Sequence, residues 1–375
     1  MAKPSVILIG DHPGWAFYNI ISFVKKYLSK EYDIYYDYLV YKPRLFDLNK
    51  ESSKQIKSNL LYRKKIPFKN IPVARGLTYR FTKAINKKGL FETNEEGKYQ
   101  RLRKDNNYDI AVFLDYYMLY DGDFQNIKAD KIIQGSYSDV FPPRKNFLHP
   151  ETGKEITINS KEEFYQLYLK NCDAFLAGAP SIKEKYESFV PKPVFFANMA
   201  YNEDIFKPYK KQAGNKKELV IGWTGNPERD FKGFRTIIEP TIKNLQKNGI
   251  PVKLITQFQG SLNSLAKFWQ KADLAIIASE ADAGPSMFME ASLCGVPSIS
   301  TKIGMPHYVI KDQINGIFSN RTIEDFSDKI EFIYHNRDLL RKMKNSIRND
   351  YIEKLGTKVQ IDNWRKMFQT VLNEK

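Results

Sequence analysis

Cysteine is almost missing from this chain: its 375 residues hold only Cys172 and Cys294. Both fall inside segments of helical pattern, the usual placing of buried thiols, so neither a disulfide nor a zinc site is expected. Long apolar runs are missing too. No stretch approaches the roughly 20 residues needed to cross a bilayer, and the apolar piece within Met1–Ile9 is too short for a secretory signal. A cytoplasmic location is expected, possible peripheral membrane contact aside. Acid is short relative to base, with 43 Asp and Glu against 59 Lys and Arg and a net charge of +16. That excess is local: the window 42–104 holds 18 Lys or Arg against 5 Asp or Glu, a net +13, and leaves the rest nearly neutral.

Apolar material is ample. A hydrophobic fraction of 42% with 25 Phe and 23 Tyr excludes a disordered or fibrous chain. The length suits two α/β domains of roughly 150–200 residues each. Val6–Ile9 is a continuous apolar run ending at Gly10, and residues 16–29 carry Phe17, Ile20, Ile21, Val24 and Leu28 at helical spacing. That is a strand, loop and helix. Further strand-like runs follow at 34–40, 110–114, 131–134, 174–177 and 194–197, and strands alternating with helices imply a mainly parallel sheet.

The stretch 207–217, with Pro208, Gly214 and several lysines, has no periodicity and reads as a linker. A second alternating series begins after it, with strands at 219–223, 252–256, 274–279 and 298–301 and helices near 233–248, 261–271 and 285–294. The tail is helical by pattern and carries Trp364, Phe368 and Val371. The expected division is a first Rossmann-like domain over 1–206 with a basic insertion at 42–104, a linker at 207–217, a second Rossmann-like domain over 218–355, and a helix over 356–375 crossing back to the first. Two doubly wound units leave a cleft between the carboxyl ends of their sheets, where such folds bind ligands.

The most informative stretch leads from the strand Asp273–Ser279 through Glu280-Ala-Asp-Ala-Gly-Pro-Ser-Met-Phe-Met-Glu290 to Cys294-Gly-Val-Pro297. Gly284 and Pro285 introduce a helix, with Ser286 and Met287 in its first turn. Amides at such a start point outward with the positive end of the helix dipole, so Gly284, Pro285, Ser286 and Met287 form a candidate diphosphate cradle. Asp282 and Glu290 stand with seven residues between them. This stretch resembles the donor half of the retaining GT-B glycosyltransferases of the family-four, glycosyl transferases group 1 type. The resemblance implies the GT-B fold and transfer of a sugar from a UDP- or GDP-sugar. It also implies that Glu290 accepts from the donor's ribose hydroxyls and that Asp282 holds a hydroxyl of the transferred sugar. The family usually has Glu where Asp282 stands, and Glu280 is a rival for that role. Read alone, Glu290 is a helical carboxylate on a solvated face, and Asp282 is a loop cap as readily as a ligand.

A second match is Ile221-Gly-Trp-Thr-Gly-Asn-Pro-Glu-Arg-Asp-Phe-Lys-Gly233, a strand and glycine-containing loop opening the second domain. Gly225 lets backbone approach a phosphate, and Lys232 matches the family lysine that neutralises the leaving diphosphate. Asn226 stands where the family carries arginine; Arg229, three residues on, is either a substitute or an exposed loop residue. In the first domain the loop Gly10-Asp-His-Pro-Gly14 occupies the place of a family loop that faces the donor. His12 in that loop is either a cleft contact or a turn cap. The resemblance runs firmly over 171–375, including Phe206-Lys-Pro208 and the Asn-Gly turn of Ile310–Gly316, and loosely over 1–170. No histidine stands near Ser136–Asp139, where many members keep one beside the reacting sugar.

The family mechanism implied is front-face substitution without a metal or resident cofactor, the nucleotide sugar being a substrate. The Asp121-Gly-Asp123 triplet is then a turn rather than a metal motif. The partners expected are a nucleotide-sugar donor and a glycan or lipid-linked acceptor. The basic window, interleaved with Phe46, Tyr62, Phe68, Tyr79, Phe81 and Phe91, is expected to meet an anionic membrane surface or acidic acceptor, each basic residue adding about 1 kcal/mol near a bilayer; the alternative is a solvated insertion. Other readings are a GT-B nucleotide-sugar epimerase and a basic RNA-binding protein with a degenerate core. Without an RNA-recognition signature no nucleic acid partner is expected.

Overall fold

The computed structural model describes residues 2–11, 16–38, 92–93, 99–100, 107–120, 127–143, 147–152, 154–209, 218–258 and 260–374. His12, Gly14, the Asp121–Asp123 triplet, the linker residues 210–217 and the basic window, apart from two short strands, lie outside them.

The first domain is built on six parallel strands: β1 (Ser5–Gly10), β2 (Asp33–Tyr38), β5 (Asn107–Phe113), β6 (Lys128–Ser136), β9 (Ala174–Ala177) and β10 (Val194–Phe196). Their order across the sheet is β10-β9-β6-β5-β1-β2. Two short antiparallel pairs stand apart, β3 (Glu92–Thr93) with β4 (Tyr99–Gln100) and β7 (Phe147–Leu148) with β8 (Glu155–Ile156). Val6, Ile7, Leu8 and Ile9 are buried on both faces, which is why a continuous apolar run forms a central parallel strand. Helix α1 (Ala16–Leu28) turns Phe17, Ile20, Ile21, Val24 and Leu28 onto the sheet at the spacing of one helical face. On the other side an aromatic cluster of Tyr116, Phe147, Phe164, Tyr168 and Phe175 closes the core around α2 (Lys161–Phe164) and α3 (Pro180–Glu187).

The second domain repeats the plan with five parallel strands: β11 (Leu219–Thr224), β12 (Val252–Gln257), β13 (Leu274–Ile277), β14 (Ser298–Ser300) and β15 (Ile317–Phe318), in the order β12-β11-β13-β14-β15. Around them lie α4 (Glu239–Lys247), α5 (Leu262–Trp269), α6 (Ser286–Leu293), α7 (Gly304–Val309), α8 (Ile323–His335) and α9 (Arg337–Leu355). In both sheets the chain leaves the first strand to one side and later returns to the other. Each sheet thus has a switch point where its outgoing loops diverge and leave a crevice, at β1/β5 in the first and β11/β13 in the second.

The chain crosses between domains twice. Segment 197–209 makes the first passage, and the chain meets the second domain before the lysine-rich stretch at 207–217: Phe206 is fully buried, and Arg348 of α9 donates to the carbonyls of Glu203 at 3.0 Å, Phe206 at 2.6 Å and Leu293. The second passage is at Gly356, where a Cβ would lie 2.5 Å from the Ile352 carbonyl. Helix α10 (Thr357–Asn373) then lies against α1 and buries Trp364, Met367, Phe368 and Val371 in the first domain's core. Side chains of this size contribute about 1.5–3 kcal/mol each when buried. The indole of Trp364 also donates to the Asn198 carbonyl at 2.9 Å, Gln360 accepts from the Asn198 amide at 2.8 Å, and the Thr357 amide donates to Glu203 at 2.7 Å. These bonds tie the two crossings to each other. Cys172 and Cys294 are buried free thiols. Among the described residues no helix is long and apolar enough to cross a membrane.

Candidate functional site

The crevice of the second sheet opens beyond the carboxyl ends of β11 and β13. After β11 the chain runs through Gly225 and Asn226 into a short helical turn, Asp230–Lys232, which Gly233 ends at φ 69°. A Cβ on Gly233 would lie 2.6 Å from the Ala278 carbonyl, so only glycine lets this turn sit against the end of β13. Two further residues hold the turn there. The Glu280 amide donates to the Phe231 carbonyl at 2.8 Å, and Arg321, whose Nε donates to the Ala278 carbonyl at 2.9 Å, reaches the Asp230 carbonyl with a terminal nitrogen at 3.4 Å. Lys232 is thereby directed at the loop after β13, where its ammonium pairs with the Asp282 carboxylate.

Arg229, Lys232 and Asp282 line a cavity of about 240 Å³ together with Phe231, and Tyr137–Val140 of the first domain form its opposite wall. Glu280, the rival to Asp282, is exposed and does not line this cavity. Asp282 also shapes the approach to α6, since its Oδ1 accepts from the Gly284 amide at 3.2 Å. The same loop is held from below by Gly304, whose missing Cβ would fall 2.2 Å from the Ala283 carbonyl, and by the Met305 amide, which donates to that oxygen at 2.9 Å.

Helix α6 begins with Pro285 in extended conformation at its cap, and the Phe288 amide donates to the Pro285 carbonyl at 2.9 Å. Its first amides have no carbonyl within the helix to pair with and carry the positive end of the dipole. Ser286 is exposed there while Met287 is buried. One turn deeper lies Glu290, only 5% exposed. Its Oε2 accepts from the indole N–H of Trp269 at 2.9 Å. Burial pushes the Glu290 carboxyl up to about 7, with the Trp269 hydrogen bond opposing the rise.

Ser286 and Glu290 line a second, larger cavity of about 790 Å³ between the domains. Met199–Asn202 of the crossing segment and Tyr18, Asn19 and Ser22 of α1 form other parts of its wall. Burial, and then the charge of Glu290, push the Tyr201 hydroxyl well up, so it stays a neutral donor beside that carboxylate.

The sequence-derived residues therefore divide into two neighbouring groups joined by the loop 282–286. Lys232, Asp282 and Arg229 share the small cavity, and Ser286 and Glu290 share the large one. Gly225, at φ 153°, donates to the Gln257 carbonyl at 3.2 Å. Asn226 spends its side chain on its own turn, accepting from the Glu228 amide at 3.0 Å, and it lines neither cavity. Arg229 is exposed at the rim. Trp269, Tyr201, Arg321 and Gly304 escaped sequence reasoning. Of these only Gly304 left a signal, as the glycine of a Gly-Met-Pro helix start after a strand.

With this geometry in hand the comparisons are specific. Residues 239–350, which contain Asp282 and Glu290, match the family model described as Glycosyl transferases group 1. This segment belongs to that family. Among solved structures, a TarM mutant from S. aureus in complex with fondaparinux, alpha-GlcNAc-glycerol and UDP superposes with a TM-score of 0.52 at 16% identity, covering 71% of this chain and 55% of that one. The chain thus spans about 55% of the length of that relative. Anabaena Alr3699/HepE in complex with UDP gives a TM-score of 0.61 at 11% identity over 98% of this chain and 100% of that one. A glycosyltransferase from Rickettsia africae gives 0.59 at 13% identity over 100% of both chains. A search of curated proteins returned no match. The two parallel-sheet domains and these superpositions make the fold GT-B.

Proposed function

We propose that this protein transfers a sugar, with retention of configuration, from a nucleoside diphosphate sugar to a hydroxyl of a glycan or lipid-linked acceptor. The observation that carries the reading is Glu290: a buried carboxylate that lines an interdomain cavity one turn below the open start of α6. Apolar burial of an acid is unfavourable without a compensating role, and a ribose hydroxyl is the partner its place in the group 1 segment suits. The diphosphate lies against the amides of Ser286 and Met287 with Lys232 alongside. An arriving diphosphate competes with Asp282 for Lys232 and frees Asp282 to accept from a hydroxyl of the transferred sugar. The relatives solved with UDP support a uridine donor.

In the reaction the bond between the anomeric carbon and the diphosphate oxygen breaks as the acceptor oxygen bonds to that carbon from the same face. The acceptor's proton passes to the departing phosphate oxygen. Lys232 and the α6 amides stabilise the negative charge that develops there, which is where fixed donors lower a barrier most. A donor filling the small cavity against the wall Tyr137–Val140 displaces water there, limiting donor hydrolysis. The basic window 42–104 holds this machinery at an anionic surface that carries the acceptor. The test is a thermal-shift panel of nucleotide sugars on wild type and Glu290→Ala. A UDP- or GDP-sugar raises the melting temperature of the wild type and loses most of that effect in the variant; a panel without any stabilising compound rejects the reading.

A further inference from the structure

Trp269 has no place in any motif, yet its side chain is packed and hydrogen-bonded directly behind Glu290. It ends α5, is 0% exposed, and lies against β11 at Gly222, where a Cβ would come within 2.8 Å of its Cζ3. Phe268 meets the ring edge-on at 5.0 Å. An indole packed on these sides cannot turn, so its N–H has one direction, and in that direction stands Oε2 of Glu290 at 2.9 Å. One oxygen of Glu290 is committed to the protein. The other remains for the cavity.

The surroundings decide what that bond does. The titratable groups around Glu290 are the Tyr201 hydroxyl of the crossing segment, the Cys294 thiol on the same helix segment, and Tyr351 and Arg348 of α9, which packs on α6. Across the cavity stand Lys25 and Lys26 of α1. Burial raises both tyrosines and pushes Cys294 up to about 12, so all three are neutral near pH 7. The Arg348 guanidinium is engaged by three backbone carbonyls. Burial favours the protonated acid, and the indole N–H, a donor that cannot accept, is the contact that favours the carboxylate.

We propose that Trp269 is a positioning residue for donor binding: its N–H occupies Oε2, fixes the Glu290 rotamer, and leaves Oε1 as the acceptor that faces the pentose. This rests on the reading of Glu290 as the donor contact. A carboxylic acid presents Oε1 less effectively to a hydroxyl donor, so nucleotide affinity falls as Glu290 takes up its proton.

The experiment is the UDP and GDP dissociation constant by calorimetry from pH 5.5 to 9, on the intact chain. For the wild type, affinity for the preferred nucleotide should fall on the acid side of about pH 7 along a one-proton limb. Trp269→Phe keeps the packing and removes the donor; the limb should move up by about one pH unit, the tenfold effect of one charge-assisted hydrogen bond, while affinity at pH 9 stays within a few-fold of wild type. Gly222→Ala, which displaces the ring without deleting the N–H, should move the limb the same way and serves where Trp269→Phe does not fold. A limb that stays in place while affinity drops equally at every pH would reduce Trp269 to packing and overturn the proposal, as would a wild type with no acid limb. Glu290→Gln separates the two claims. If it leaves nucleotide affinity and its pH dependence as in wild type, the reading of Glu290 itself fails; if it abolishes the limb while Trp269→Phe does not shift it, only the role of Trp269 fails.

Discussion

Glu290→Gln should stabilise the unliganded protein, and only above the ordinary carboxylate range. The folded carboxyl titrates at about 7 against an ordinary value of 4.5, because burial outweighs the Trp269 bond. Between those two pH values the folded protein holds a proton that the unfolded chain has released, so stability falls as pH rises from 4.5 through 7 and stays lowered above it. A gap of this size corresponds to about 3 kcal/mol. Glutamine cannot ionise, retains a carbonyl oxygen for the indole N–H, and removes the penalty. Urea unfolding followed by tryptophan fluorescence at pH 4.5, 6, 7 and 8 would measure it. The variant should equal wild type at pH 4.5 and exceed it by about 3 kcal/mol at pH 8, while losing nucleotide affinity. A difference that does not change with pH, or a variant less stable at pH 8, would refute the claim that Glu290 is held ionised against its own burial. Gain of stability with loss of binding is the usual relation at a functional site.

Other substitutions probe the remaining parts. Lys232→Ala should lower turnover by about 10²–10³ with a smaller change in donor KM, because its contact matters most where charge develops on the leaving group; steady-state kinetics decide, and an unchanged kcat removes Lys232 from the reaction. Gly233→Ala places a Cβ against the Ala278 carbonyl at a positive φ and should destabilise by about 1–3 kcal/mol while also misplacing Lys232, measured by urea unfolding and activity together. Trp364→Ala empties a buried site of α10 and should cost about 3–5 kcal/mol, with the first domain's unfolding transition shifted. Vesicles carrying phosphatidylserine should bind the full chain more tightly than neutral vesicles, with binding lost as salt is raised and after neutralising lysines in 42–104.

The sheets were legible because parallel strands covered on both faces appear as unbroken apolar runs; Val6–Ile9 and Ala174–Ala177 are buried throughout. The return of the tail was legible in Trp364, Phe368 and Val371, three large apolar residues on one helical face that the second domain had no need of. The site was legible where residues are close in sequence. Gly284 to Glu290 follow one another through a loop and a helix, so spacing alone placed the helix start one turn above the carboxylate. What sequence could not show are contacts between distant segments. Trp269 meets Glu290 across 21 residues, and Lys232 meets Asp282 across 50; neither separation has a period to read. The approach to the second domain is of the same kind, since it depends on Arg348 finding the carbonyls of Glu203 and Phe206 more than a hundred residues away. Asn226 drew attention by its place in a motif, but a side chain that can close its own turn does so.

A crystal structure of the intact protein with the stabilising nucleotide sugar bears on the central claim most directly. It should show the pentose within hydrogen-bonding distance of Glu290 Oε1, the diphosphate against the amides of Ser286 and Met287, and Lys232 drawn toward it from Asp282. A nucleotide bound elsewhere, with Glu290 still buried and touching only Trp269, would contradict the account.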